Sequence, residues 1–371
     1  MKIAFISDTH LGYPRFEEDS FIQGEAAFLD ACSKCDVILF AGDLFDVKIP
    51  KLETIERAIS IFQKVKNSGK KIFAIHGNHE RRTKEMTNPV QLVAATGLIE
   101  YLHGSQILFE HNGEKLQVFG LGSVPEEYAL TALDKYMKNF KPVENAFRVL
   151  MIHQTLKEMV PGASNELSMD DIDRFPFDLV VNGHIHAKYI DVPRKLILPG
   201  STVVTQIKPE ETESKGYILY DTITKNCEFV PIKCRKFIYE VMEFKEASPD
   251  TVQQSVIQKI KELRGDDNLA IISMKIRGTL KEGLSNTDVS FGIHENVFID
   301  NQLDIHTLSA KLERIRNFRS EKLSVREVAL KELSEKTKGR VTMFDSNDLF
   351  EHLVESTEGT MEYLESKKKV E

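Results

Sequence analysis

The segment DLVVNGHIHAKY (178–189) closes a short apolar run with Asn182, Gly183, His184, Ile185 and His186. A run of this length, bounded by turn residues, reads as a strand buried on both faces. Two histidines spaced i, i+2 just past it place two imidazoles on the same side of an extended segment.

The same punctuation recurs along the chain. IAFIS (3–7) runs into Asp8, Thr9 and His10, and VILFA (37–41) into Gly42, Asp43, Leu44, Phe45 and Asp46. IFAI (72–75) is followed by His76, Gly77, Asn78, His79 and Glu80, and RVLMI (148–152) by His153. In open α/β sheets the carboxyl ends of the strands converge on one rim, where ligands bind. Residues from Asp8 to His186 are therefore expected to meet in one cleft. Carboxylate oxygen, imidazole nitrogen and amide oxygen, with no thiolate, suit Mn²⁺, Fe or Zn²⁺. Glycines beside Asp43, Asn78 and His184 allow the tight turns that crowd side chains around an ion. The candidate ligands Asp8, His10, Asp43, Asn78, His153, His184 and His186 exceed the needs of one ion, so a pair sharing a bridging carboxylate is expected. His76 reads as structural, and His103, His111, His294, His306 and His352 as surface or packing residues.

Between the strands lie helical patterns, LETIERAISIFQKVKN (52–67) and a second at 89–101. Strands follow closely from about 178 to 233 (DLVVN, KYIDV, KLILPG, GYILYD, CEFVPI). The fold class expected is α/β: a layered β-sandwich with flanking helices over 1–233. Residues 236–318 read as a small α+β domain, with strands FIYEVMEF, LAIISMKIRG and NVFID and helices VQQSVIQKIKELRG and 307–319. The stretch 321–371 reads as a helical tail. Its apolar residues Val325, Val328 and Leu333, and then Leu349, Phe350, Leu353 and Val354, fall on helix faces too small to be stable alone.

The chain of 371 residues is 41% hydrophobic and 29% charged with net charge −8, so a basic nucleic-acid-binding balance is missing. Any polyanion must be gripped locally or by metal ions. Cys32, Cys35, Cys227 and Cys234 are too few for a disulfide scaffold, and Cys32-x-x-Cys35 reads as two buried thiols rather than a zinc or redox pair. No apolar run approaches a membrane span, and Met1-Lys2 leads straight into a strand, so a cytoplasmic protein without a signal peptide is expected.

The residues Asp8-x-His10, Gly42-Asp43, Gly77-Asn78-His79-Glu80, His153 and Gly183-His184-x-His186 resemble the signature of calcineurin-type metallophosphoesterases. Within that superfamily, IAFISDTHLGYPR, the GDLFD form of the second motif and the following small domain resemble a double-strand-break repair nuclease. This is the meiotic-recombination-eleven family (SbcD in bacteria), in its archaeal form. The resemblance is dense over 1–200, architectural over 236–318 and weakest in the tail. It implies two Mn²⁺ ions, the first on Asp8, His10 and His186, the second on Asn78, His153 and His184, with Asp43 bridging. His79 would be catalytic. It further implies double-strand exonuclease and single-strand endonuclease activity on DNA, a homodimer, an SMC-like coiled-coil ATPase partner (SbcC in bacteria) and a nucleoid-associated location. The α+β domain would cap DNA, and the tail would dock on the ATPase. Glu80 stands where these nucleases more often carry Asp, and GNHE also occurs in Ser/Thr phosphatases. Those phosphatases carry GDxxDRG, whereas Asp46 here precedes Val47-Lys48. Asp46 itself sits where some archaeal relatives have His. The alternatives are a metal-dependent phosphatase of the same superfamily and a non-enzymatic scaffold of this fold.

The chemistry expected is two-metal phosphodiester hydrolysis. Two divalent cations outweigh the two carboxylates and leave a positive pocket in an acidic protein. The bridged ions lower the pKa of a bound water to give the attacking hydroxide, and His79 donates to the leaving oxygen.

Overall fold

In the computed structural model the apolar runs form the central strands of two sheets. The structure describes residues 1–303 except 84, 161–165, 266, 268 and 282–285, together with 330, 346–355, 360 and 363. The strands of the sheets are Lys2–Ile6 (β1), Val37–Ala41 (β2), Lys71–Ile75 (β3), Glu100–Tyr101 (β4), Ser105–His111 (β5), Glu114–Leu121 (β6), Ala146–Ile152 (β7), Leu179–Asn182 (β8), Tyr189–Asp191 (β9), Leu196–Leu198 (β10), Gly216–Asp221 (β11) and Cys227–Pro231 (β12). One six-stranded sheet has the order β12-β11-β1-β2-β3-β4, the other β5-β6-β7-β8-β10-β9.

Strands such as β1 and β2 are apolar almost throughout because both of their faces are covered. Ile3, Phe5, Val37, Leu39, Phe73 and Ile75 share one core with Leu116, Val118, Val149, Met151, Leu179 and Val181 of the second sheet. Their alternates Ala4, Ile6, Ile38, Phe40, Ile72 and Ala74 face the helices Glu17–Lys34 (α1), Leu52–Asn67 (α2) and Pro89–Ala94 (α3). Helix α1 buries Phe21, Ala27, Phe28 and Ala31, and α2 buries Ala58, Ile61, Phe62 and Val65. On the far side, Phe119, Leu121, Leu150, Ile152, Val180 and Leu198 pack on Leu133 and Met137 of Ala129–Met137 (α4) and on Met169 and Ile172 of Met169–Asp173 (α5). The result is a helix–sheet–sheet–helix sandwich. Each fully buried Leu, Ile or Phe in these layers contributes about 1.5–3 kcal/mol of transfer free energy.

β1, β2 and β3 run parallel, as do β6, β7 and β8. Their carboxyl ends therefore open on one edge of each sheet. The helix expected over 89–101 ends at Ala94. Gly97 turns the chain with φ of 73°, and the edge of β3 captures Glu100 and Tyr101 as a strand.

Beyond β12, Phe237–Ala247 (β13), Ile271–Leu280 (β14) and Val297–Leu303 (β15) form a three-stranded sheet in that order. Pro249–Arg264 (α6) precedes β14 and buries Val252, Val256 and Ile260, one face of a helix at spacings of four. The chain divides into two compact units: Met1–Met242 with Asp250–Ile276 and Ser290–Asn301, and Glu243–Pro249 with Arg277–Val289 and Gln302–Glu371. Within the first unit, Phe237 and Ile271 share an apolar cluster with Phe16, Val203 and Val204. Arg235 pairs with Asp19 at 2.9 Å, and Phe298 meets Phe16 edge-on. Within the second unit, Arg277 pairs with Glu243, and Ser346–Glu355 (α7) exposes Val354. The helix expected at 307–319 and the residues Val325, Val328 and Leu333 lie outside the described residues. No helix among the described residues is long and apolar enough to cross a membrane.

Candidate metal centre

The loops that leave β1, β2, β3, β7 and β8 are laced to one another. The Asp8 N–H donates to the Gly42 carbonyl at 3.0 Å and the His10 N–H to the Asp43 carbonyl at 3.1 Å. Gly183 N–H reaches the Ile152 carbonyl at 3.1 Å. The Asp8 carboxylate accepts the His184 N–H at 3.1 Å, and Asp43 Oδ1 accepts the His79 N–H at 3.0 Å. Asp8, His10, Asp43 and His184 all adopt positive φ (52°, 43°, 53° and 76°). Such backbone costs about 1–3 kcal/mol per residue and persists only where its surroundings fix it.

All eight expected site residues meet here. His153 Nε2 lies 3.3 Å from Asp43 Oδ2 and 3.1 Å from Asn78 Oδ1. His184 Nδ1 lies 2.8 Å from the same Asn78 oxygen. On the other side, His10 Nε2 faces His186 Nε2 at 3.2 Å and Asp43 Oδ2 at 3.8 Å. Three overlapping sets could each hold an ion, with ligand atoms within 4.8 Å of one another: Asp8, His10 and His186; Asp8, Asp43 and His153; His10, Asp46 and His79. The glycines follow from this crowding. A Cβ on Gly77 would sit 2.0 Å from Asp43 Oδ1, and one on Gly183 would sit 2.2 Å from the Ala41 carbonyl oxygen.

This arrangement of loops agrees with the comparisons. Residues 1–188 match the family model for the calcineurin-like phosphoesterase. The chain belongs to that family. It is also similar to proteins named DNA double-strand break repair protein Mre11. The protein of Methanocaldococcus jannaschii is 25% identical, with 84% of this chain and 88% of that protein covered. That of Sulfolobus acidocaldarius is 24% identical, with 94% and 89% covered. The Double-strand break repair protein MRE11 of Encephalitozoon cuniculi is 26% identical, and the chain spans 55% of its length.

As a calcineurin-like phosphoesterase the chain is a metal-dependent hydrolase of phosphate esters, and its donor set fits divalent ions on two grounds. Asp8 Oδ2 is buried without a hydrogen-bond partner, which is costly unless a cation takes it. The imidazoles are also tethered through one ring nitrogen so that the other faces inward. His153 Nδ1 donates to the Ala41 carbonyl at 2.7 Å, and His10 Nδ1 lies 3.2 Å from Asp46 Oδ1, leaving each Nε2 to the centre. Burial raises the Asp8 carboxyl to about 6, with Asp43 adding to the rise and His153 and His10 opposing it. Burial acts in the same sense on Asp43, but His153, His10 and His79 outweigh it and hold that carboxyl well below the usual range. Burial disfavours the charged form of His153, yet Asp43 and Asp8 lift it to about 9. A proton on His153 thus offsets the carboxylates where a cation would displace it. Burial, with His153 in one case and His10 in the other, lowers His184 to about 4 and His186 to about 2, so both are neutral near pH 7.

His79 differs from the others. Its side chain is 39% exposed, its Nδ1 donates to the Asp46 carbonyl at 2.6 Å, and its ring stands edge-on to His10 at 4.8 Å. His76 stays out of the centre. It is buried between the Ser123 carbonyl and the Tyr101 hydroxyl, and burial lowers it to about 3. Cys32 and Cys35 are buried free thiols.

Two acidic residues gain roles that the sequence left open. Asp46 touches both His10 and His79, and its i, i+3 spacing from Asp43 was the available signal. Glu80, fully buried, accepts the Phe45 N–H at 2.7 Å and the Gly77 N–H at 2.9 Å. It ties the loop of Asp43 to the loop of Asn78 and His79 and cannot reach a substrate.

Proposed function

We propose that this protein is a Mn²⁺-dependent DNA nuclease, a double-strand exonuclease and single-strand endonuclease, that acts at double-strand breaks. The observation that carries the reading is the convergence of Asp8, His10, Asn78, His153, His184 and His186 around Asp43, with His79 beside them. The similarity to proteins named for double-strand break repair supports the choice of DNA as substrate.

Asp8, His10 and His186 would hold one ion, Asn78, His153 and His184 a second, and Asp43 both. When bound, the cations would activate water for attack and stabilise charge on the phosphoryl oxygens. The residues themselves supply orientation. Asp43 fixes the His79 main chain, and the Asp46 carbonyl accepts the hydrogen bond from Nδ1–H, so His79 Nε2 is the nitrogen left to serve the leaving oxygen. Two bound divalent cations would outweigh Asp8 and Asp43 and would give a net charge −8 protein a local pocket for a phosphodiester.

The reading includes a homodimer and an SMC-like coiled-coil ATPase as partner, with the α+β segment capping DNA. Digestion of end-labelled duplex with Mn²⁺, and with chelator, run beside a phosphomonoester substrate, tests it. Metal-dependent shortening of the duplex is expected. Rapid hydrolysis of the monoester with intact duplex would make the protein a phosphatase instead.

A further inference from the structure

We propose that two Thr–Glu pairs, Thr155 with Glu126 and Thr205 with Glu211, fix the tautomers of His184 and His186 in opposite senses. His184 then presents Nδ1 to the centre and His186 presents Nε2. The ligand half of this inference rests on the metal reading above.

A neutral imidazole has one N–H and one lone pair, so the partner at one nitrogen decides the state of the other. Thr155 Oγ1 lies 2.9 Å from Glu126 Oε1 and 3.1 Å from His184 Nε2. An ionised carboxylate only accepts. The threonine hydrogen therefore goes to Glu126, and its oxygen is left to accept from His184 Nε2–H. The Nδ1 lone pair consequently faces the Asn78 oxygen at 2.8 Å.

The same device stands behind the other histidine with the nitrogens exchanged. Thr205 Oγ1 lies 2.5 Å from His186 Nδ1 and 3.5 Å from Glu211 Oε1. The hydroxyl donates to Glu211 and accepts from His186 Nδ1–H, which leaves the Nε2 lone pair facing His10 Nε2. Lys215 pairs with Glu211 at 2.5 Å and also donates to Ser201 at 3.0 Å. Both members of this ion pair are buried, with 6% and 5% of their side-chain surface exposed. A buried pair of this kind adds little to stability against an apolar replacement. Its position behind His186 gives it a use. The Tyr13 hydroxyl donates to the Thr205 carbonyl at 2.7 Å, which anchors the main chain that carries this hydroxyl.

The test uses full-length, metal-free protein labelled with ¹⁵N-histidine, in which the imidazole spectra report each tautomer directly. Wild type should show His184 protonated on Nε2 and His186 on Nδ1. Thr205→Val should release the preference at His186 alone, Thr155→Val at His184 alone, and Thr205→Ser should restore the first. Glu211→Gln strands Lys215, so the threonine variants carry the decision. Calorimetric titration with Mn²⁺ should then show each valine variant weakened about 10–100-fold for one ion and unchanged for the other. A purely structural role would lower the melting temperature and leave tautomers and affinities as they were. That result overturns the proposal. Wild-type protein that binds no Mn²⁺ would instead sink the metal reading and the ligand half with it, while the spectra still judge the orientation.

Discussion

His79 is the residue at which chemistry and binding separate. Its ring is fixed through Nδ1 by the Asp46 carbonyl and through its main chain by Asp43, and it is more exposed than the residues that face it. If Nε2 serves the leaving oxygen, that interaction exists chiefly in the transition state. His79→Ala should then keep two bound ions and DNA affinity while single-turnover cleavage falls by about 10²–10⁴-fold. Loss of an ion in proportion to lost activity would make His79 a ligand or its support. Gly77 gives a complementary case. Because an added Cβ meets Asp43 Oδ1 at 2.0 Å, Gly77→Ala should displace the shared carboxylate and lower occupancy of both ions. Metal analysis that still finds two tightly held ions in the Gly77→Ala protein would contradict this. The ligand side chains were legible in sequence because each follows an apolar strand directly. Thr155, Glu126, Thr205 and Glu211 were not, since common residue types far from their histidines leave no spacing to read.

Among the elements, the strands were legible for the same reason that they are stable: burial on both faces makes them continuous apolar runs. The short α3 was misjudged because Leu98 continues its apolar pattern, while Gly97 and the open edge of β3 decide otherwise. β5 was not read because its burial is shallow along both faces. α3 is instead defined by its start. Asn88 accepts the Gln91 N–H at 2.9 Å while the Gln91 side chain accepts the Asn88 N–H at 3.0 Å, a reciprocal cap, and Asn88 also donates to Tyr101. Asn88→Ala should therefore cost about 0.5–2 kcal/mol of stability. Denaturant unfolding measures it, and an unchanged midpoint would show that the cap is dispensable.

For the whole molecule, the balance of charge and the arrangement of partners go together. A net charge of −8 leaves the candidate metal centre as the place where a polyanion would be attracted, so under the proposed function duplex binding over a wide surface would fall to the proposed ATPase partner. Removal of residues from 321 onward should abolish co-purification with that ATPase and leave metal-dependent cleavage intact. Retained co-purification would place the docking surface elsewhere. Ala58, Ile61, Phe62 and Val65 of α2 and Val90 and Val93 of α3 pack on the chain's own core. The proposed homodimer would therefore use the less buried residues around them, and a monomeric mass in light scattering at micromolar concentration would count against it.

The account turns on one carboxylate shared by two ions, and elemental analysis after Mn²⁺ loading tests it most directly. Wild type should hold two ions per chain, His10→Ala should mainly lose one, and Asp43→Asn should lose both together. Full occupancy by two ions in the Asp43→Asn protein would remove the bridge and the dinuclear centre built on it.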